Sequence, residues 1–149
     1  MSPFTITKLN EAERLVFGWA NVSVSKATAA APGGEQFFDL QHDTIPPEEL
    51  EKAAYLHVAE YRETDEMHKG GAVGHLVESI VFTPEKLEKF CTDPMTGEVN
   101  QSHLAVLKEV FTPRWWVGYR LEPAAFAKVL SGEYRMFSIG GEAERIEVE

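Results

Sequence analysis

The sequence predicts an α+β domain with a largely antiparallel sheet, and a sheet of that kind can curl into a barrel. The chain has 149 residues, enough to enclose one core, so a single domain over 1–149 is expected. Segments rich in β-branched and aromatic residues alternate with short segments that open on proline and repeat apolar residues at helical spacing. Their order, β-β-α-β-α-β-α-β-β, is typical of the α+β class.

The predicted strands are the stretches in which β-branched and aromatic residues concentrate. "RLVFGWANVSV" is the first of them, and a small, polar, glycine-bearing loop follows at 25–36. "GGAVGHLVESIVF" enters a strand through its glycines, and "WWVGYRLE" has strong β propensity. The full set of predicted strands covers 14–24, 37–44, 70–82, 115–122, 135–141 and 143–149.

Three helices are predicted from their starts and their periodicity. Pro46 and Pro47 open the first, which runs to about Arg62. One buried face is expected on it, formed by Leu50, Ala54, His57, Val58 and Tyr61. The second helix spans 83–91, and the third spans 123–134 with a glycine near its end. A turn-rich insertion is predicted at 92–103.

Charge and composition exclude several classes of function. The formal charge of −10 argues against a nucleic-acid binder, which would offer a basic face to phosphates. No apolar run approaches the ~20 residues that a membrane-spanning helix needs. Cys91 is the single cysteine, so no internal disulfide is possible, and it is predicted to be an inert thiol in a reducing compartment.

Ser138 is the first candidate for chemistry. It lies in an apolar, strand-like stretch, "RMFSIGG", where a hydroxyl is unexpected. A serine nucleophile needs a base within hydrogen-bond reach and donors for the oxyanion. Gly140 and Gly141 allow backbone to approach a substrate without a Cβ in the way. The alternative is a strand serine that bonds its neighbours beside a Gly-Gly turn.

His68 is the second candidate, in the polar, glycine-flanked stretch "DEMHKGG". An imidazole at a cleft edge can take a proton, although a loop histidine is more often a solvated surface residue. His75 is a competing base, and His57 is predicted to be a core residue. His42, Asp43, His68 and His75 could collect a metal, but no dense ligand motif is present, so neither a metal nor another cofactor is predicted. His103 is the weakest histidine candidate.

Three stretches resemble the phage prohead (capsid maturation) serine proteases, specifically those of the XkdF type. They are "DLQHDTIPPEELEKAAYLHVAEYR", "MHKGGAVGHLVES" and "KVLSGEYRMFSIGGEAER", and the last is the most specific. With the strand "WWVGYRLEP", the resemblance covers nearly all of 15–145. The segment 92–103 is the least family-like part.

The resemblance implies a fold like that of the herpesvirus maturation protease (assemblin), a β-barrel flanked by helices. It implies Ser138 as nucleophile and His68 as general base, with backbone N–H groups from Ile139 to Gly141 as candidates for the oxyanion site. The expected substrates are phage scaffold and major capsid proteins, cut inside the immature capsid (prohead) in the host cytoplasm. A homodimer or higher oligomer is an expectation by analogy alone. The alternative is a non-catalytic capsid-assembly or scaffold domain with the same fold.

The third catalytic residue departs from the family pattern. In relatives a carboxylate or a second histidine follows the serine at some distance, whereas only 11 residues (149 − 138) follow Ser138. Glu144 is the first substitute, and Glu142 is the alternate. The alternative expectation, of equal weight, is a domain truncated at its C-terminus, which lacks the expected strand; this would leave the imidazole untethered and slow the reaction.

Overall fold

The computed structural model describes residues 6–22, 45–65, 71–109 and 111–135. Five strands form one sheet in the order β1-β2-β5-β4-β3, and every neighbouring pair is antiparallel. The strands are β1 (Ile6–Asn10), β2 (Leu15–Val22), β3 (Glu63–Asp65), β4 (Ala72–Phe82) and β5 (Arg114–Leu121). The α-helices are α1 (Pro47–Leu56), α2 (Pro84–Phe90), α3 (Gln101–Glu109) and α4 (Pro123–Leu130). The predicted α+β class with an antiparallel sheet is confirmed.

The described sheet is open, with β1 and β3 as its two edges. It is therefore not closed into a barrel within the described residues. The strands predicted at 37–44 and 143–149, and all but the first residue of the one at 135–141, lie outside those residues. The strands β1 and β3 were not predicted. Their sequences, "ITKLN" and "ETD", are polar, and their pairing with β2 and β4 places them in the sheet.

The main core lies between one face of the sheet and two helices. Helix α1 contributes Leu50 and Ala54, and α4 contributes Phe126. They pack with inward-facing side chains of the central strand, of which Trp115 and Tyr119 are the largest fully buried ones. Because strand residues alternate between faces, β5 sends residues 115, 117, 119 and 121 into this core and residues 114, 116, 118 and 120 to the opposite face.

The opposite face of the sheet is also aromatic. The Phe17 and Trp116 rings stack with centroids 6.4 Å apart, and Trp19 meets Trp116 edge-on at 5.1 Å. Phe17 crosses β5 at Gly118, where an added Cβ would lie 2.5 Å from the Phe17 ring. Gly118 therefore makes room for an aromatic side chain that is only 6% exposed.

The first helix changes its winding part-way along. After Leu56 the chain continues as a π-helix, His57–Tyr61, and ends at Arg62, whose φ of 49° is left-handed. A π-turn holds more residues than an α-turn, so the apolar face moves out of phase. Leu50, Ala54 and His57 are buried as predicted, but the prediction was wrong for two later positions. Those two, Val58 and Tyr61, are 40% and 38% exposed.

Residues 83–109 form a helical hairpin with its own small core. The Thr83 hydroxyl accepts a hydrogen bond from the Lys86 backbone N–H and so caps α2. Leu87, Cys91 and Leu104 are buried together. The predicted insertion 92–103 is a tight turn only to residue 100, because Asn100 caps α3 by accepting from the His103 N–H. Residues 101–103 are helical, which the sequence reading missed.

Candidate functional site

The predicted catalytic residues lie outside the described residues. This holds for Ser138, His68, Glu144 and Glu142, for the proposed oxyanion donors Ile139, Gly140 and Gly141, and for His42 and Asp43. The residues that flank them in sequence are described, and these show where each segment joins the sheet. Asp65 and Gly71 border the segment that contains His68, and Arg135 precedes the one that contains Ser138.

The two flanks join the sheet at opposite edges. The Ile6 N–H of edge strand β1 donates to the Arg135 carbonyl oxygen at 2.7 Å. Asp65 ends the other edge strand, β3, where it pairs with Ala72. These points are four strand spacings apart, about 19 Å across a flat sheet. Ile6 aligns through Gly18 and Val117 with Ser79, seven residues along β4 from Ala72, which adds about 23 Å along the strands.

His75, the competing base, lies on β4 next to edge strand β3. Its Nδ1 atom is 4.0 Å from a carboxylate oxygen of Glu63, its partner across the strand pair, and the His75 side chain is 65% exposed. His75 thus makes a solvent-exposed cross-strand contact. Within the described residues it meets no serine or cysteine that it could activate.

His57 is buried, as predicted, and only 2% of it is exposed. Its Nε2 atom is 2.7 Å from the Tyr119 hydroxyl, and its ring meets the Trp115 ring edge-on at 5.6 Å. Its Nδ1 atom has no hydrogen-bond partner among the described residues. Burial lowers the pKa of His57, because an imidazolium here would lose its hydration. Within the described part of the chain, His57 is therefore a core group whose surroundings favour the neutral imidazole.

This burial predicts that stability depends on pH. The pKa of His57 is lowered in the folded state, so below about pH 6.5 the unfolded chain binds a proton that the folded chain refuses. The stability that the neutral His57 contributes to the folded state is fully present above that pH and is lost as pH falls. We expect the urea midpoint of the wild type to drop between about pH 7.5 and 5.5, and His57→Gln to show a smaller drop. Equal slopes for the two proteins would contradict the assignment.

The helical hairpin carries a groove of about 640 Å³ at the junction of α2 and α3. Phe90, Cys91, Asp93, His103 and Val106 are among its lining residues. Cys91 is buried and makes no hydrogen bond to His103 within the described residues, so the two do not form a nucleophile–base pair there. The Asp93 carboxylate accepts from backbone N–H groups of its own turn. The groove has the geometry of an apolar depression, without a catalytic constellation.

Metal-ion sites and membrane-spanning helices can be assessed in the described part of the chain. No group of three or more His, Cys, Asp or Glu side chains is placed to hold a metal ion there. No helix in that part is long and apolar enough to cross a bilayer.

One cluster was missed by the sequence reading. Arg114 lies on the aromatic face with its guanidinium carbon 5.3 Å from the Trp19 ring and 5.8 Å from the Phe111 ring. The alternation Arg114, Trp116 along one strand was the available signal, because residues two apart share a face. Its partner rings come from distant or irregular segments, and local pattern does not bring those together.

Comparison with protein-family models, with curated proteins and with solved structures found no significant match. The resemblance to prohead proteases therefore rests on the three sequence stretches alone.

Proposed function

We propose that this chain is a phage capsid maturation serine endopeptidase that cleaves scaffold and capsid proteins. The supporting observation is the attachment of the two predicted catalytic segments to the two edges of one antiparallel sheet. Arg135, three residues before Ser138, bonds to edge strand β1, and the His68 segment connects edge strand β3 to β4. Joining those edges is what closes a sheet into a barrel.

The proposed fold is a closed barrel like that of the herpesvirus maturation protease. The described contact nearest in sequence to Ser138 is the hydrogen bond between the Ile6 N–H and the Arg135 carbonyl, at edge strand β1. Closing a barrel tilts its strands and staggers their register, so edges that are offset in a flat sheet can become neighbours. The seven-residue offset between the two flanks is the kind of displacement that such stagger accommodates.

The proposed chemistry is acyl transfer. His68 takes the proton from the Ser138 hydroxyl as its oxygen attacks a peptide carbonyl, and backbone N–H groups from Ile139 to Gly141 stabilise the oxyanion. His68 then gives the proton to the leaving amine, and water hydrolyses the acyl-enzyme by the reverse roles. Glu144, or else Glu142, orients the imidazole. The reaction takes place inside the prohead in the host cytoplasm, and a homodimer or higher oligomer belongs to this proposal.

Co-expression with the neighbouring scaffold and capsid proteins tests the proposal. Wild type is expected to convert them to shorter products, and Ser138→Ala is expected to leave them intact because the nucleophile is gone. Ser131→Ala is the matched control, since Ser131 ends α4 and its hydroxyl only donates to the Lys128 carbonyl. Identical band patterns for wild type and Ser138→Ala would contradict the proposed protease activity.

The second candidate is a non-catalytic capsid-assembly domain with the same fold. The observation that favours it is the diagonal placement of Ile6 and Asp65 on the open sheet. The distance from the Ser138 Oγ to the nearest His68 nitrogen separates the two. About 3 Å in a solvent-reachable groove supports the protease, and a distance beyond about 8 Å supports the assembly domain, since one water cannot bridge it.

A further inference from the structure

Arg114 differs from the other described arginines in having its guanidinium close to two aromatic rings. These are the rings of Trp19 and Phe111. The side chain is held by its neighbour Thr112, whose carbonyl oxygen accepts from Nε at 3.0 Å and whose hydroxyl accepts from Nη2 at 3.1 Å. Its direction is thus set before any ligand arrives, which lowers the entropy lost on binding.

The charge of Arg114 has no carboxylate partner among the described residues. Burial lowers the pKa of this arginine, so its surroundings disfavour the charge, although a guanidinium stays protonated at any physiological pH. Half-buried charges are normally paired. A guanidinium that is fixed, partly desolvated and without a counter-ion is a site to which an anion would bind favourably.

The remaining donors point to one kind of anion. A guanidinium has five N–H groups, and Thr112 uses two, so three are free within the described residues. Because Nε and one hydrogen of Nη2 are taken, the free pair is the outer edge formed by Nη1 and Nη2. That edge matches the two oxygens of a single carboxylate. A phosphate dianion would need further cations, whereas the same face carries the Glu78 carboxylate, which accepts from the Trp116 indole.

The surface beside the guanidinium is apolar. Trp19 meets Trp116 at 5.1 Å and Phe82 at 5.9 Å, and all three rings are half-exposed. Ile80, opposite Trp116 on the same face, is 38% exposed. In an extended peptide, side chains two residues apart project to one side, about 7 Å from each other. An acidic residue and an apolar residue at that spacing could contact Arg114 and the rings together.

We propose that Arg114, with Trp19, Trp116 and Phe82, binds a carboxylate side chain of an extended polypeptide segment that carries an apolar residue two positions away. This proposal does not rest on the proposed catalytic residues and applies equally to a protease and to an assembly domain. Charge complementarity carries the choice of partner: the guanidinium supplies a positive charge beside the rings, and the rings exclude water around it. At physiological salt, the repulsion from the chain's overall negative charge is screened beyond about 8 Å.

The test uses two blocked pentapeptides, Leu-Ala-Glu-Ala-Leu and its isostere Leu-Ala-Gln-Ala-Leu, titrated into the ¹⁵N-labelled full chain at physiological salt. The glutamate peptide is expected to shift the Arg114 Nε–Hε resonance at millimolar concentration or below. The glutamine peptide is expected to bind at least about tenfold more weakly, because charge-assisted bonds are replaced by neutral ones. This comparison uses wild type alone and does not depend on the folding of any variant.

A pair of conservative variants then identifies the arginine. Arg114→Lys keeps the charge and loses the fork, so weaker binding of the glutamate peptide is expected. Arg120→Lys is the control: Arg120 lies on the same face of the same strand, is half-exposed and already pairs with Glu13 at 3.6 Å. Equal affinity for both peptides, no binding of the glutamate peptide at millimolar concentration, or an equal loss in both variants would overturn the proposal. Inorganic phosphate that shifts the same resonance at lower concentration would replace the carboxylate as ligand.

Discussion

Replacing His68 with alanine is expected to slow the phosphonylation of Ser138 by a fluorophosphonate probe by about 10²- to 10⁴-fold. In this reaction the serine oxygen bonds to phosphorus and fluoride leaves. This probe can be used without knowing the natural substrate. The rate depends on removing the hydroxyl proton, because a neutral serine is a weak nucleophile. Mass spectrometry of the labelled chain against time gives the rate and identifies the modified serine.

His75→Ala is the matched control for this measurement. His75 is a neighbour of the same segment in sequence, and its imidazole lies 4.0 Å from the Glu63 carboxylate, on the exposed surface of the β3–β4 pair. Its loss is expected to leave the labelling rate unchanged. A labelling rate that falls in His75→Ala and not in His68→Ala would mean that His75, and not His68, is the general base. Labelling that is equally slow in all three proteins would mean that Ser138 has no activating base.

The strands that were predicted correctly are those whose own residues have high β propensity. β2, β4 and β5 are rich in valine, tryptophan and phenylalanine, and their pattern survives in the fold. β1 and β3 lack that signal, because what stabilises them is backbone pairing with the next strand along the chain and not burial of their own side chains. Helix α3 was missed because Asn100, its cap, looks the same in sequence as another turn residue.

The interior of an element was harder to predict than its existence. The three- and four-residue spacing of the first helix predicted a buried Val58, and the π-turn that begins at His57 moves it into solvent. Nothing local announces such a turn. It ends where the Arg62 side chain donates to the carbonyls of Val58 and Ala59, a contact that needs the folded backbone to exist.

In the candidate site, too, individual residues were easier to predict than their arrangement in space. Sequence pattern can single out a serine before two glycines and a histidine between polar neighbours, but their meeting depends on how the sheet edges close. The roles of Ser138 and His68 came from resemblance for that reason. The Arg114 cluster was not predicted for a related reason. Trp19 and Phe111 are 92 positions apart (111 − 19), and only the register of β2 with β5 brings them near one guanidinium.

Trp115 and Trp116 lie on opposite faces of β5, so their replacement is expected to change the stability by different amounts. Trp115→Ala is expected to lower the free energy of unfolding by about 3–5 kcal/mol, the range for removing a fully buried aromatic side chain. Trp115 is 1% exposed and lies against His57 of the first helical segment, and its indole N–H donates to the Ser79 hydroxyl at 2.9 Å. The variant would leave a large cavity and would remove the donor to the partly buried Ser79 hydroxyl. Urea unfolding followed by far-UV circular dichroism measures the loss.

Trp116→Ala, one residue on, is the control, and it is expected to cost clearly less. Its ring is half-exposed on the other face of the sheet, where it packs on Trp19 and Phe17 and its indole N–H bonds to Glu78. Should Trp115→Ala fail to fold at all, Trp115→Phe keeps most of the ring volume and isolates the lost hydrogen bond, about 1 kcal/mol. If Trp116 proved the costlier of the two, the faces of β5 would be reversed. Arg114, which shares a face with Trp116, would then point into the core, and the carboxylate site would have no opening.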